Sequence, residues 1–262
     1  MSVEPFYTSQ FQAGLGMVSE CTAILRLYEA GLTTGQLERK VSESGIFSSC
    51  TARRVRNLVA EMFAPRFCRP DGAIAGRLKT LIEHGALPET LRLIYLLHTA
   101  RAQRVLHDFI TQVYWPRQRQ GGGFLVRSQA QQFLEEAASN GRMRKAWSPP
   151  TIRAIASYLL GACGDFGLLG AGRAQRPFQH FRLNTPAALY LAQDLHFAGV
   201  GDTSLASHPD WALYGLDHPD LVVGVLQDLG TCGHMLVQAG AGLVQIGWKH
   251  HTWTEVLHAV AR

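Results

Sequence analysis

The chain has 262 residues and a formal net charge of +5, with 47% hydrophobic and 17% charged residues. That composition excludes disorder for the bulk of the chain, and the length suits one large domain or two ordinary ones. The charge is unevenly placed: residues 1–183 hold 23 Lys+Arg against 13 Asp+Glu, residues 184–262 hold 2 against 7, and residues 99–182 alone hold 12 against 4.

A concentrated positive field favours a polyanionic partner, either nucleic acid or, less often, an anionic membrane surface. Five cysteines, far apart and without a C-x-x-C pair, predict reduced thiols in a cytosolic protein. The opening Met-Ser-Val-Glu-Pro has neither a basic region nor an apolar core, so no signal peptide is expected. Residues 154–172 carry a single charge, Asp165, near their centre, and five glycines. A mid-bilayer charge costs about 2.5–3.5 kcal/mol, so this stretch is expected to be a soluble helix followed by a turn.

In chain order, apolar residues from Leu15 to Tyr28 recur at helical spacing and predict a helix over 11–30, with Gly31 as its cap. Thr33 or Thr34 caps a short helix with Leu37 and Val41 on one face. Ser49 or Thr51 caps a third, with Val55, Leu58, Val59 and Met62 inward and Arg53, Arg54 and Arg56 toward solvent. Helices are predicted over 72–84, 88–98 and 102–115. Pro116-Arg-Gln-Arg-Gln-Gly-Gly-Gly123 reads as a linker, which puts a domain boundary at 120/121 and divides the chain into 1–120 and 121–262. Ser128 opens a helix to Asn140, a basic turn follows (Gly141-Arg-Met-Arg-Lys-Ala-Trp147), and Ser148-Pro-Pro-Thr151 begins a helix running to about Gly164. Residues 166–183 then suggest two short strands around a Gly/Arg-rich tip. Helix, turn, helix, hairpin is the order of a winged helix-turn-helix. A second helix (221–229) and hairpin (234–248, turning at 239–242) follow, acidic and apolar rather than basic, and suited to packing or a protein partner.

Catalytic and cofactor signatures do not assemble. There is no Walker A, and Gly167-x-x-Gly170-x-Gly172 has its glycines in the wrong order for a dinucleotide fingerprint. Cys232-x-His234 lacks a second ligand pair at zinc spacing, and adjacent His250 and His251 point apart. No G-x-S-x-G or H-E-x-x-H occurs. The expectation is a non-enzyme with no metal, no cofactor and no small-molecule substrate.

Phosphate binding needs cations in the turn and first helical turn of a recognition helix, where backbone N–H groups also point outward. The sequence supplies Arg142, Arg144 and Lys145 in the turn, Ser148 and Thr151 at the helix start, and Arg153 one turn in. Arg173 and Arg176 sit in the wing, and Arg53, Arg54 and Arg56 form a secondary cluster able to grip phosphates or to pair with carboxylates such as Glu43. If about six phosphates are contacted, the log–log salt slope of binding is expected near −5.

Several segments also resemble the BrxA-like proteins of bacterial BREX phage-defence systems. They are Tyr7-Thr8 with Gly14-Leu15 and Ser19-Glu20; Leu37, Val41, Glu43-Ser44, Ser49 and Thr51-x-Arg53-Arg54; Trp211-Ala-Leu-Tyr-Gly-Leu216; and Leu243-Val-Gln-Ile-Gly-Trp248-Lys249 with Glu255-Val-Leu257. The resemblance implies a mainly α fold: an all-helical N-terminal bundle similar to the transcription factor NusB, joined to winged helix-turn-helix elements with short β-hairpins. It also implies binding of double-stranded DNA within a multi-protein defence complex; the cysteine pattern and the charged, glycine-rich 154–172 stretch add the expectation of a cytoplasmic location without membrane contact. Protein-adaptor and RNA-binding roles are the alternatives.

Overall fold

The computed structural model describes residues 6–8, 14–240 and 242–262. The first three positions of the helix expected from residue 11 lie outside that set. Helix α1 runs Val18–Leu27, and α2, Thr34–Glu43, starts from Thr33, whose hydroxyl accepts from the Gln36 N–H while Gln36 reaches back. Helix α3, Ala52–Arg56, is capped by Thr51 and continues into widened, π-helical turns over Asn57–Cys68. Pro65 lies inside those turns, where its missing N–H interrupts the ordinary ladder. The chain goes on through α4 (Ala73–Glu83), α5 (Pro88–Ala102), α6 (Arg104–Phe109), a π-helical stretch Ile110–Tyr114, and α7 (Trp115–Arg119). Strand β1 (Phe124–Val126), α8 (Arg127–Ser139), α9 (Pro149–Asp165) and β2 (Gln175–Pro177) follow. The remainder is α10 (Thr185–Phe197), α11 (Asp202–Ala206), a 3₁₀ turn Pro209–Tyr214, α12 (Pro219–Thr231), the hairpin β3 (Met235–Gly240) and β4 (Leu243–Trp248), and α13 (Trp253–Val260).

The fold is mainly α, with two small antiparallel sheets. The chain does not divide at 120/121. One compact unit combines residues 1–76 with 98–181, and the other combines 77–97 with 182–262. The expected linker is largely structured: α7 continues directly from the π-helical turns to Arg119, and the Gly122 N–H returns to the Arg117 carbonyl (3.3 Å). The three glycines close a turn rather than join domains.

Within the first unit, α8 and α9 pack together and bury Phe133, Leu134, Ile152, Ile155 and Leu159. β1 precedes them and pairs with β2, Leu125 opposite Arg176. Leu169 forms an antiparallel bridge with Phe178; the Gly170 N–H donates to Pro177 (2.8 Å) and the Gln179 N–H to Leu168 (3.0 Å). Backbone stretches 123–126, 175–179 and 168–170 therefore form one ribbon in that order. The Tyr114 hydroxyl holds it by donating to the Leu168 carbonyl (2.9 Å). The ribbon's tip needs glycine at 172, because a Cβ there would sit 1.9 Å from the Gln175 carbonyl oxygen.

The second unit has its own core of Trp211, Tyr190, Leu195, Leu226 and Val256. Arg77 lies 3.9 Å over the Trp253 ring and pairs with Asp194 at 2.8 Å. Helix α10 buries an unbroken run from Ala187 to Gln193, so it has almost no polar face and its helical period is invisible in the sequence. At the hairpin base, His234 Nδ1 meets His250 Nε2 at 3.3 Å, a pairing across β3–β4 that spacing along the chain does not announce.

Gly172→Ala is expected to force the tip open. Amide exchange at Gly170 and Gln179 should accelerate roughly tenfold or more while mid-α9 amides keep their protection. Unchanged exchange at those two amides would show that the tip accommodates a Cβ.

Candidate nucleic-acid interface

The first unit carries 19 Lys+Arg against 11 Asp+Glu, and the second 6 against 9. The basic surplus thus belongs to the unit that contains α8, α9 and the ribbon. Not all of it faces solvent. Arg66 is buried and donates to the Leu15 (2.8 Å) and Gly14 (2.8 Å) carbonyls, fixing the loop before α1. Burial holds its guanidinium pKa below the usual value.

The basic turn between α8 and α9 is organised by a carboxylate that the sequence did not single out. Asp108 of α6 is buried. Its Oδ2 accepts from the Tyr7 hydroxyl (2.7 Å) and from Arg142 Nη1 (2.8 Å), while its Oδ1 lies 2.8 Å from Arg104 Nε and 3.2 Å from His107 Nδ1. Burial alone would push the Asp108 carboxyl pKa up. Hydrogen bonds from His107 and Tyr7 and the charge of Arg104 overcome this and hold it below the usual carboxylate range.

Arg142, expected to grip phosphate, is therefore directed inward and half-buried. Arg144 and Lys145 are exposed, Arg144 lying 5.5 Å over the Phe6 ring. Ser148 caps α9 by accepting from the Thr151 N–H (3.4 Å), and the two hydroxyls sit 2.9 Å apart. Pro149 and Pro150 have no N–H, and the Ile152 N–H returns to the Ser148 carbonyl (2.9 Å). The outward backbone donors expected at this helix start are thus removed or already bonded, and the positive contacts there rest on side chains. Arg153 is exposed on the first turn and Arg173 at the ribbon tip. Arg176 is not at the tip's surface: it donates to the Leu160 carbonyl of α9 (2.9 Å), in a bed opened by Gly164, where a Cβ would come within 2.7 Å of Nη1.

The secondary cluster is mixed. Arg53 is exposed, Arg54 is half-buried, and Arg56 reaches toward Glu38 of α2 (3.9 Å) rather than Glu43. A polar cleft of about 330 Å³ beside α7 and α8 is lined by Gln112, Gln120, Gln129, Gln132, Arg117 and Glu136 among others. Gln129 already accepts from the Val126 N–H and Gln132 donates to Glu136, so two of its amides are internally satisfied.

The sequence profile of the BrxA family matches residues 5–194, which include α8, α9, the ribbon and the Asp108 cluster. The chain belongs to the BrxA family. That family is BREX-associated. Its matched stretch ends within α10, ahead of the β3–β4 hairpin. In fold the chain is similar to the crystal structure of an uncharacterized protein from Magnetospirillum magneticum: TM-score 0.59, 16% identity, covering 74% of this chain and 95% of that one. No curated protein matches the sequence. Among the described residues, no helix is long and apolar enough to cross a membrane, and no three His, Cys, Asp or Glu converge as metal ligands.

Asp108→Ala is expected to cost about 2–3 kcal/mol, the lower end for a broken buried pair because both arginines regain partial hydration. A thermal midpoint lowered by roughly 5–10 °C would register it. Because the folded pKa is lowered, the Asp108 contribution is present above the ordinary carboxylate range and disappears as pH falls through the folded value. Wild type and variant should therefore converge in strong acid; a gap that stays constant down to pH 2 would show that Asp108 acts through packing rather than charge.

Proposed function

We propose that this BrxA-family chain is a non-enzymatic, cytoplasmic component of BREX phage defence that binds double-stranded DNA, through phosphates and largely without sequence preference. One observation carries the reading. The order β1–α8–basic turn–α9–ribbon supports a winged helix-turn-helix reading, in which the exposed cations Arg144, Lys145, Arg153 and Arg173 would serve the turn, helix start and wing tip. A NusB-like reading of the preceding helices belongs with this proposal. Beyond Arg153, the exposed positions of α9 are Ala154, Tyr158 and, at the far end of the helix, Asp165, which offer little for reading base edges.

With Arg142 and Arg176 held inside, four side chains of the candidate element remain for phosphates. The expected salt slope of duplex binding becomes about −3.6 rather than −5, measured by fluorescence anisotropy across a salt series. Arg153→Ala should make the slope shallower by about 0.9, whereas Arg142→Ala should lower the thermal midpoint and leave the slope in place. Binding indifferent to salt would overturn the reading. RNA is the other polyanion, and competition between matched RNA and DNA duplexes ranks the two.

A second reading, a protein adaptor within the defence complex, has its own support in the acidic unit. The outward face of β3–β4 pairs Leu236 with Gly247, Gln238 with Gln245 and Gly240 with Leu243. It carries no charge, and Leu236 and Leu243 are 77% and 68% exposed. Loss of co-purifying defence proteins on Leu236→Asp, with DNA binding retained, would favour that reading for this unit.

A further inference from the structure

The segment Phe6–Thr8 reaches across more than 130 positions of sequence to touch three consecutive residues of the basic turn. The Tyr7 N–H donates to the Arg142 carbonyl (2.9 Å), Tyr7 bridges to Met143 in parallel register, and the Phe6 ring lies beneath the Arg144 guanidinium. The Tyr7 side chain extends the same grip inward. Its hydroxyl donates to Asp108, it lies 3.3 Å from Arg142 Nη1, and its ring sits 6.2 Å from Phe133 of α8. From Arg142 to the cap at Ser148, the turn contains neither helix nor strand of its own. Tyr7 thus joins α6, α8 and the turn, and 5% of its surface is exposed.

We propose that Phe6–Thr8 is a clasp that sets the pose of the basic turn, with Tyr7 a positioning residue that presents Arg144 and Lys145 to DNA without touching DNA itself. The proposal rests on the DNA-binding reading above. Its physical content is preorganisation: ordering long cationic side chains and their backbone before binding removes that entropic cost from the binding step. A clasp of this kind changes affinity but not the number of phosphates neutralised, so it leaves a signature that a direct ligand does not.

The test uses full-length wild type, Tyr7→Phe, Tyr7→Ala and Lys145→Ala with a random-sequence duplex, reading affinity by anisotropy across salt and protection of amides 142–147 by hydrogen exchange. Expected for Tyr7→Ala is a loss of affinity of about tenfold, and for Tyr7→Phe about threefold, both with the wild-type salt slope and with faster exchange confined to the turn. Lys145→Ala should instead make the slope shallower by about 0.9. Tyr7→Phe keeps the ring and the backbone bond, so it remains informative if Tyr7→Ala does not fold. Unchanged affinity in Tyr7→Phe and Tyr7→Ala despite a loosened turn would overturn the proposal, as would a slope that changes with Tyr7, which would make the segment a direct contact. A wild-type chain that binds no duplex would overturn the DNA reading and this proposal with it, and that control separates the two failures.

Discussion

A buried carboxylate must be matched by donors, and Asp108 obtains them from three separate parts of the chain. Arg104 and His107 come from its own helix, Tyr7 from the N-terminal segment, and Arg142 from the turn between α8 and α9. Leaving any of these out would strand charge or hydrogen-bonding capacity away from water, at a cost of kilocalories. The network therefore does more than stabilise. It ties the Phe6–Thr8 segment to the basic turn between α8 and α9, and it does so beneath the surface, where salt and solvent screen least.

The same network changes what the arginine surplus means. Arg66, Arg104, Arg142 and Arg176 are engaged with carbonyls or with Asp108, so each helps to fix a loop, turn or ribbon. Their charges still contribute to the long-range field of the unit, which steers an anion toward it. On the DNA-binding reading proposed above, the short-range grip would fall instead to the exposed cations of the turn, the first turn of α9 and the ribbon tip. Two prolines at the start of α9 make that start rigid while removing backbone donors, so the helix end contributes its dipole but few amides.

The two compact units differ in chemistry as well as composition. The first concentrates cations around α8, α9 and the ribbon. The second is acidic, built around Trp211 and the Arg77–Trp253–Asp194 contact, and its hairpin turns an uncharged face to solvent. BrxA-family similarity covers the first unit almost entirely and stops short of that hairpin. On the readings proposed above, the basic unit would hold nucleic acid and the acidic, apolar one other proteins.

Much of the local structure was legible in the sequence because its causes are local. Thr33, Thr51 and Ser148 announce helix starts, since a hydroxyl at that position satisfies an orphan N–H whatever surrounds it. The β3–β4 hairpin followed from two apolar runs around a glycine turn. Helix α10 was not legible, because burial on all sides erases the period that betrays a helix. The compact units do not follow the boundary expected at 120/121 for a related reason: Pro and Gly mark a change of backbone direction, but contacts decide which segments pack into one unit. The roles of Arg142 and Arg176 were equally out of reach. By itself, the sequence determined where the cations lie along the chain and which family the chain resembles. Only the tertiary structure decided which of those cations face solvent, because Asp108, Tyr7 and the Leu160 carbonyl come within hydrogen-bonding range of them through folding, not through position in the sequence.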